Sequence, residues 1–254
     1  MSSMFSLEGK VAIVTGASRW TGKVVALEMA RAGADLLICA RKAERLEAAA
    51  EEVRGLGRRC IAVPTNVENA EQVSAMVCRA KEAFGRIDIL VNSAGTSMPV
   101  STLELAEDRF DAMVRLNLKA HFLCSRAVAP VMIEQGGGCI VDVASTEGLR
   151  ASPTNCAYGA AKAGLMNLVK TLAVEWGRYR IRVNAVAPGF IATPIHPGYM
   201  EGYPHLKAIY ERVPLGRGVT MEEVAAAVIY LASDAAGGTT GITLPVDGGL
   251  TSLM

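Results

Sequence analysis

The fold class this sequence predicts is a single doubly wound α/β domain, a seven-stranded parallel sheet with helices on both faces. Three observations predict it. Short Val- and Ile-rich runs alternate with longer stretches of helical periodicity from one end of the chain to the other. The short runs are apolar almost throughout rather than at every second position, as strands covered on both faces are. No linker rich in Pro, Gly or Ser and no shift in composition divides the 254 residues, so 1–254 read as one domain.

The strand signal falls on KVAIVT, DLLICA, CIAVPT, DILVNS, CIVDVA, RVNAVA and GITLPV. Helices fit at about 22–32, 43–56, 70–84, 103–135, 157–177 and 221–232. In the second of these Leu46, Ala49, Ala50, Val53 and Leu56 form one stripe and Gly57 ends it. In the third, Val73, Met76, Val77, Ala80 and Phe84 do the same ahead of Gly85. Such stripes face a core, and a glycine just past the last apolar position is a common helix stop. The least regular stretch, 190–219, is dense in proline, glycine and tyrosine and reads as a lid or binding loop.

Hydrophobic residues make up 51% of the chain and charged ones 20%, enough to bury a full core. With 26 basic against 25 acidic residues and no long run of one sign, nucleic acid and membrane are not expected partners. The N-terminus MSSMFSLEGK lacks a signal-peptide pattern, and no apolar stretch approaches a membrane span, so the expectation is a cytoplasmic protein. The six cysteines include no C-x-x-C pair and read as reduced, mostly buried thiols. Three histidines without ligand spacing give no metal signature.

Open parallel sheets bind ligands at the carboxyl ends of their strands, where the strand order reverses. The loop after the first strand, TGASRWTG at 15–22, carries Gly16 and Gly22 and leads into a helix, whose free N–H groups and dipole suit a pyrophosphate. It is not the usual G-x-G-x-x-G, so alone it is weak. The second strand ends CARKAERL, with Ala40 and Arg41 where a carboxylate would bind the hydroxyls of an NAD ribose. Arg41 and Arg19 could instead clamp a 2′-phosphate, which favours NADP(H) over NAD(H).

At the other end of the chain, YGAAK sets Tyr158 and Lys162 one turn apart on one helix face. A phenol is a poor acid near neutral pH, and a neighbouring ammonium that stabilises the phenolate brings its proton into use. Ser145 follows the strand CIVDVA at the ligand-binding edge, and Asn117 is a polar residue in an apolar helical stretch.

Taken together these residues resemble the short-chain dehydrogenase/reductase family over essentially the whole chain. The matching motifs run in order: T-G-x-x-x-x-x-G at 15–22, NSAG at 92–95, Asn117, Ser145, Tyr158-x-x-x-Lys162, PGFIAT at 188–193 and VDGG at 246–249. The resemblance implies a Rossmann-type domain and a hydride transfer between NADP(H) and a ketone or secondary alcohol. It makes Tyr158 the general acid of reduction and base of oxidation. Lys162 is to lower the Tyr158 pKa and bind the nicotinamide ribose, Ser145 to hold the carbonyl oxygen, and Asn117 to order a relay water. Cofactor contacts are implied for Gly16, Ser18, Arg19, Trp20, Thr21 and Gly22 in the glycine loop and for Arg41. Asn66 and Val67 are to meet the adenine, and Asn92, Ala94 and Gly95 to line the adenosine side. Pro188, Gly189, Ile191 and Thr193 are to hold the carboxamide and phosphates. A homotetramer is implied, with the helices at 103–135 and 157–177 forming one two-fold interface.

Three positions depart from the family pattern: Asn66 stands for Asp, Ser93 for the second Asn of N-N-A-G, and Trp20 for a glycine. Trp20 matters most, because a glycine there lets backbone approach the pyrophosphate and tolerates unusual φ. An indole must swing outward or crowd the phosphates; the intact catalytic positions favour the outward swing with some loss of affinity. Two alternatives to a general carbonyl reductase are a 3-oxoacyl-carrier-protein reductase and a non-catalytic cofactor-sensing module. The first needs basic surface for an acidic carrier protein, and 127–149 contains no Lys or Arg. The second conflicts with the intact Asn117, Ser145, Tyr158 and Lys162.

Overall fold

The computed structural model describes residues 4–191 and 204–253, with side chains in the second stretch from 207 onward. Seven strands form one sheet: β1 Val11–Thr15, β2 Asp35–Ala40, β3 Cys60–Pro64, β4 Ile89–Asn92, β5 Gly138–Val143, β6 Ile181–Pro188 and β7 Thr243–Val246. All neighbours pair in parallel in the order β3-β2-β1-β4-β5-β6-β7. Ala12 registers with Leu36 of β2 on one side and Ile89 of β4 on the other, so β1 is the strand at which the winding reverses.

The helices are α1 Trp20–Arg31, α2 Ala43–Gly55, α3 Ala70–Phe84, α4 Glu107–Val114, α5 Ala120–Glu134, α6 Cys156–Trp176, α7 Pro204–Tyr210 and α8 Met221–Ala232. Their ends follow local chemistry. Asn69 caps α3 by accepting from Gln72 N, and Gly85 closes it at φ +78°. Thr220 and Glu223 cap α8 reciprocally. The expected stripes are buried except at their last positions, where Leu56 is exposed just past α2 and Phe84 is partly buried. On one face of the sheet Val25, Met29, Leu46, Val53, Val228 and Leu231 meet Ala12, Val14, Leu36 and Ile38. On the other, Val73, Met76, Val128, Met132, Leu165 and Val169 meet Ile13, Leu37, Leu90 and Ile140. Each such side chain contributes roughly 1.5–3 kcal/mol of burial.

The stretch expected as one helix over 103–135 is different. It starts only at Glu107 and is broken by a π-helical turn, Arg115–Lys119, before α5. The cause is Asn117. Its Nδ2 takes the Met113 carbonyl at 3.0 Å and also donates to Thr96 O at 3.0 Å, so the widened turn bridges to another segment. Within 190–219 the described part contains α7, and Ile191 pairs with Val219 in an isolated bridge.

Cys39, Cys60, Cys124 and Cys139 are buried, Cys156 is partly buried and Cys78 is exposed; all are free thiols. Burial pushes Cys39 and Cys60 up to about 12, which keeps them protonated. Among the described residues, no helix is long and apolar enough to cross a membrane and no acidic, Cys or His cluster could hold a metal ion.

Candidate active site

A cavity of about 500 Å³ opens over the carboxyl ends of β1 to β4. Glycine is required in its floor. Gly16 has φ +70°, and a Cβ there would lie 2.8 Å from Ala94 Cα; a Cβ on Gly22 would lie 2.5 Å from the Gly16 carbonyl oxygen. Thr15 explains the residue ahead of that glycine: its Oγ1 accepts from Ser93 N at 3.0 Å and Ala94 N at 3.1 Å, tying β1 to the loop after β4. Arg19, at the N-cap of α1, offers no side-chain acceptor to the first turn, which leaves that helix end open to an anion.

Gly16, Ser18, Arg19, Trp20, Thr21, Gly22, Arg41, Asn66, Val67, Ala94 and Gly95 all line this cavity. So do Lys42 and Arg45, which the sequence reading passed over although they share the run R-K-x-x-R with Arg41. Arg19, Arg41, Lys42 and Arg45 have no ion-pair partner among the described residues, whereas the lining acid Glu68 is bound to Arg115 at 3.0 Å. A glycine cradle faced by four free cations fits a phosphate-rich dinucleotide. Asn66 Oδ1 accepts from Glu68 N at 3.2 Å and keeps a second lone pair. Trp20 stands at φ +51° with its side chain 41% exposed, so the indole is at the mouth, partly turned to solvent.

One expectation needs correction. Asn92 does not line the cavity: it is buried, and its Nδ2 donates to Ser125 Oγ and Asp142 Oδ1 at 3.1 Å each. A polar side chain inside the sheet finds protein partners first. Pro188, Gly189 and Ile191 lie at and just past the end of β6, three places from β1 in the sheet, and Gly189 lines a second cavity. Thr193 lies outside the described residues.

The second cavity, about 270 Å³, lies beyond β5 and β6. Ser145 and Glu147 come from the turn after β5, Gly189 and Phe190 from the end of β6, and Leu250, Thr251 and Leu253 from the C-terminal segment. That segment is shaped by the VDGG motif: Asp247 accepts from Gly249 N at 2.9 Å, Thr251 N at 2.8 Å and Thr251 Oγ1 at 2.6 Å. Arg150 and Arg212 also line this cavity, so the lack of cations in 127–149 does not extend to its rim.

Tyr158 and Lys162 lie one turn apart on α6. Lys162 is buried; its Nζ donates to Val143 O at 2.7 Å and lies 5.7 Å from the Tyr158 ring centroid. A Cβ on Gly95, which lines the first cavity, would be 3.5 Å from that Nζ, so Lys162 lies just behind the wall of that cavity. Burial pulls Lys162 down to about 8, with Asp142 opposing. Burial pushes Tyr158 up to about 12; a Ser145 hydrogen bond lowers it and the Glu147 carboxylate raises it. Desolvation is the largest of these influences on Tyr158.

Asn117 is fully buried, with Nδ2 donating to Thr96 O and Met113 O and Oδ1 accepting from Thr96 N at 3.2 Å. Its amide clamps the loop after β4, and Oδ1 keeps one lone pair. Behind it His121 stands with Nδ1 2.7 Å from Asp142 Oδ1 and Nε2 3.1 Å from Ala94 O, a buried pair to which the sequence offers no spacing signal.

Residues 16–251 match a family model described as enoyl-(acyl carrier protein) reductase, a model of the short-chain dehydrogenase/reductase family. The chain belongs to that family. It is 38% identical over 244 residues to the 3-oxoacyl-[acyl-carrier-protein] reductase FabG of Thermotoga maritima, covering 96% of this chain and 98% of the relative. It is 38% identical over 248 residues to the 3alpha-hydroxysteroid dehydrogenase of Mediterraneibacter gnavus, covering 97% and 98%. The crystal structure of a gluconate 5-dehydrogenase from Burkholderia cenocepacia in complex with NADP and tartrate superposes with a TM-score of 0.93 at 34% identity, covering 99% of this chain and 98% of that one. As a short-chain dehydrogenase/reductase, the chain is an oxidoreductase of CH–OH and keto groups that works by hydride transfer with a nicotinamide cofactor.

Proposed function

We propose an NADP(H)-dependent carbonyl reductase, or alcohol dehydrogenase in reverse, with Tyr158 as the group that delivers or removes the proton. The observation that carries this reading is that Ser145 of the second cavity is hydrogen-bonded to Tyr158, while Lys162, 5.7 Å from that ring, lies behind Gly95 of a first cavity faced by four free cations. Arg41 and Lys42 at the end of β2, with no acid beside them, would hold a 2′-phosphate. The cofactor, when bound, supplies the hydride to the carbonyl carbon. The Ser145 hydroxyl donates to the carbonyl oxygen, and the Tyr158 phenol, protonated at neutral pH, releases its proton to that oxygen as charge develops there. The Lys162 ammonium then stabilises the phenolate left behind, which is worth most in this dry setting. We further propose a homotetramer in which α4, α5 and α6 form one two-fold interface, with sedimentation at micromolar concentration as the check.

The test is oxidation of NADPH, and in parallel NADH, by the purified chain against a panel of small ketones. Turnover that prefers NADPH supports the reading, and turnover with NADH alone removes the 2′-phosphate assignment. A second reading, reduction of a 3-oxoacyl group on a carrier protein, draws on the Thermotoga relative and on Arg150 and Arg212 at the second cavity. It requires a carrier-bound 3-oxoacyl substrate to outperform free ketones in kcat/KM.

A further inference from the structure

The wall of the second cavity carries a charge that the reaction does not use. Ser145 marks the end where the carbonyl oxygen is held, and Arg150 and Arg212 line the same space of about 270 Å³. Reduction of a carbonyl asks nothing of either guanidinium, since Tyr158 supplies the proton.

Both arginines lack an acid. The Arg212 side chain has no ion-pair or hydrogen-bond partner among the described residues. Arg150 is held without being neutralised: its Nε and Nη2 both donate to Thr251 O, at 3.1 and 2.7 Å. One carbonyl thus occupies one edge of the planar guanidinium and leaves the other, Nη1 with Nη2, free. Thr251 is fixed in turn by Asp247, which accepts from its backbone N–H and its hydroxyl. A guanidinium anchored along one edge and open along the other is set for the two oxygens of a carboxylate.

The lining itself does not answer this charge. Glu147 is the one acid there among the described residues, and its oxygens are turned elsewhere. Oε1 accepts from Asn155 Nδ2 at 3.2 Å, and Oε2 is shut off from solvent without a donor. Burial lifts its carboxyl to about 7, so near neutral pH it does not cancel two guanidinium charges. Phe190, Ile209 and Leu250 add apolar wall, which suits a short hydrocarbon spacer.

We propose that Arg150, together with Arg212, binds a carboxylate carried by the substrate, which is then an oxo acid. The keto carbon takes the hydride of NADPH and its oxygen takes the Tyr158 proton. This leaves a hydroxy acid, NADP⁺ and an unchanged carboxylate. The proposal rests on the carbonyl-reductase reading and names its substrate class.

The probes are 4-oxopentanoate, 5-oxohexanoate and 6-oxoheptanoate, each beside its methyl ester, which keeps the skeleton and removes the charge. They are reduced with NADPH by the full chain, Arg150→Met, Arg150→Lys and Arg212→Met, with NADPH binding as the check that each variant is folded. For at least one skeleton the native chain should favour the acid over its ester by about tenfold or more in kcat/KM at low ionic strength. High salt should shrink that ratio. It should fall to near one in Arg150→Met and part-way in Arg212→Met. Arg150→Lys keeps the charge without the fork and should be intermediate. No acid preferred over its ester, or a ratio unchanged in both Met variants, overturns the proposal. So does a carrier-bound 3-oxoacyl substrate that outperforms every oxo acid, which favours the second reading instead. If Arg150→Met does not bind NADPH, the salt dependence and the other two variants decide. If neutral ketones are reduced and the acids gain nothing, the substrate class fails and the reductase reading stands. If nothing is reduced, both fail.

Discussion

The two cavities of this chain are built from different materials. The one over β1 to β4 is made of bare backbone and free cations: glycines that admit no Cβ, and Arg19, Arg41, Lys42 and Arg45 without partners. At the one beyond β5 burial shifts titrating groups: Glu147 in its lining and Tyr158 beside Ser145 are raised, and Lys162, one turn along α6, is lowered. The first recognises a ligand by shape and charge already in place. The second stores unfavourable burial that chemistry can draw on, which is how perturbed titrating groups come to cluster at reacting sites.

The largest way to break that contrast is Tyr158→Phe. If the second cavity alone carries the proton, turnover should fall by about 10³-fold or more, since general acid catalysis is worth roughly 10²–10⁴ and no second donor replaces it. NADPH affinity should stay within about twofold, because the cations of the first cavity are untouched. Single-turnover rates and a binding titration check the two halves. A Phe variant within tenfold of the native rate would remove Tyr158 as the acid.

Glu147→Gln sharpens the contrast through stability. Burial raises the Glu147 carboxyl from 4.5 to about 7 in the fold. Below pH 4.5 the group is neutral in both states and costs nothing. As pH rises toward 7, the unfolded chain gives up its proton first and the folded state loses stability, and above 7 the full cost is present. The glutamine variant does not titrate. Its stability relative to the native chain should therefore climb by about 2–3 kcal/mol between pH 4.5 and 8. Urea midpoints at the two pH values measure it, and a difference that stays flat with pH contradicts a buried, titrating Glu147.

Arg41→Asp tests the first cavity by charge alone. It removes a cation from the proposed 2′-phosphate site and supplies an acceptor for ribose hydroxyls. The kcat/KM ratio of NADPH over NADH should drop by about 10- to 100-fold. An unmoved ratio would leave Lys42 and Arg45 as the cations that matter.

What could be read in the sequence follows the same division. The sheet was legible because strands buried on both faces are written as short apolar runs, and the cradle because Gly16, Gly22 and Arg41 sit at fixed places relative to β1 and β2. Lys42 and Arg45 were in the quoted run and needed only the helix geometry that turns them to the cavity. Glu147 and the pair His121–Asp142 were not legible. They act through burial and through contacts between residues 21 positions or more apart, or through an oxygen left without a donor, and local spacing encodes neither. Asn92 and Asn117 show the converse. A motif placed them correctly in the chain, while the partners that occupy their amides came from other strands and loops.

The smallest expected effect belongs to Trp20. At φ +51° it holds a conformation that an L side chain adopts at a cost of about 1 kcal/mol and a glycine adopts freely. Its indole is 41% exposed at the mouth of the first cavity, so it borders the phosphate site without filling it. Trp20→Gly should then tighten NADPH binding about fivefold, by opening the approach to the loop. Relief of the strained φ is common to the free and bound protein and shows in stability instead, partly offset because a glycine at the start of α1 has more freedom to lose on folding. The chemical step should change less, because Ser145, Tyr158 and Lys162 come from the turn after β5 and from α6, not from the glycine loop. Titration of both proteins with NADPH reads the sign directly. Weaker binding in the glycine variant would mean that the indole packs on the bound nucleotide, and the first cavity would then owe part of its affinity to a side chain as well as to backbone and charge.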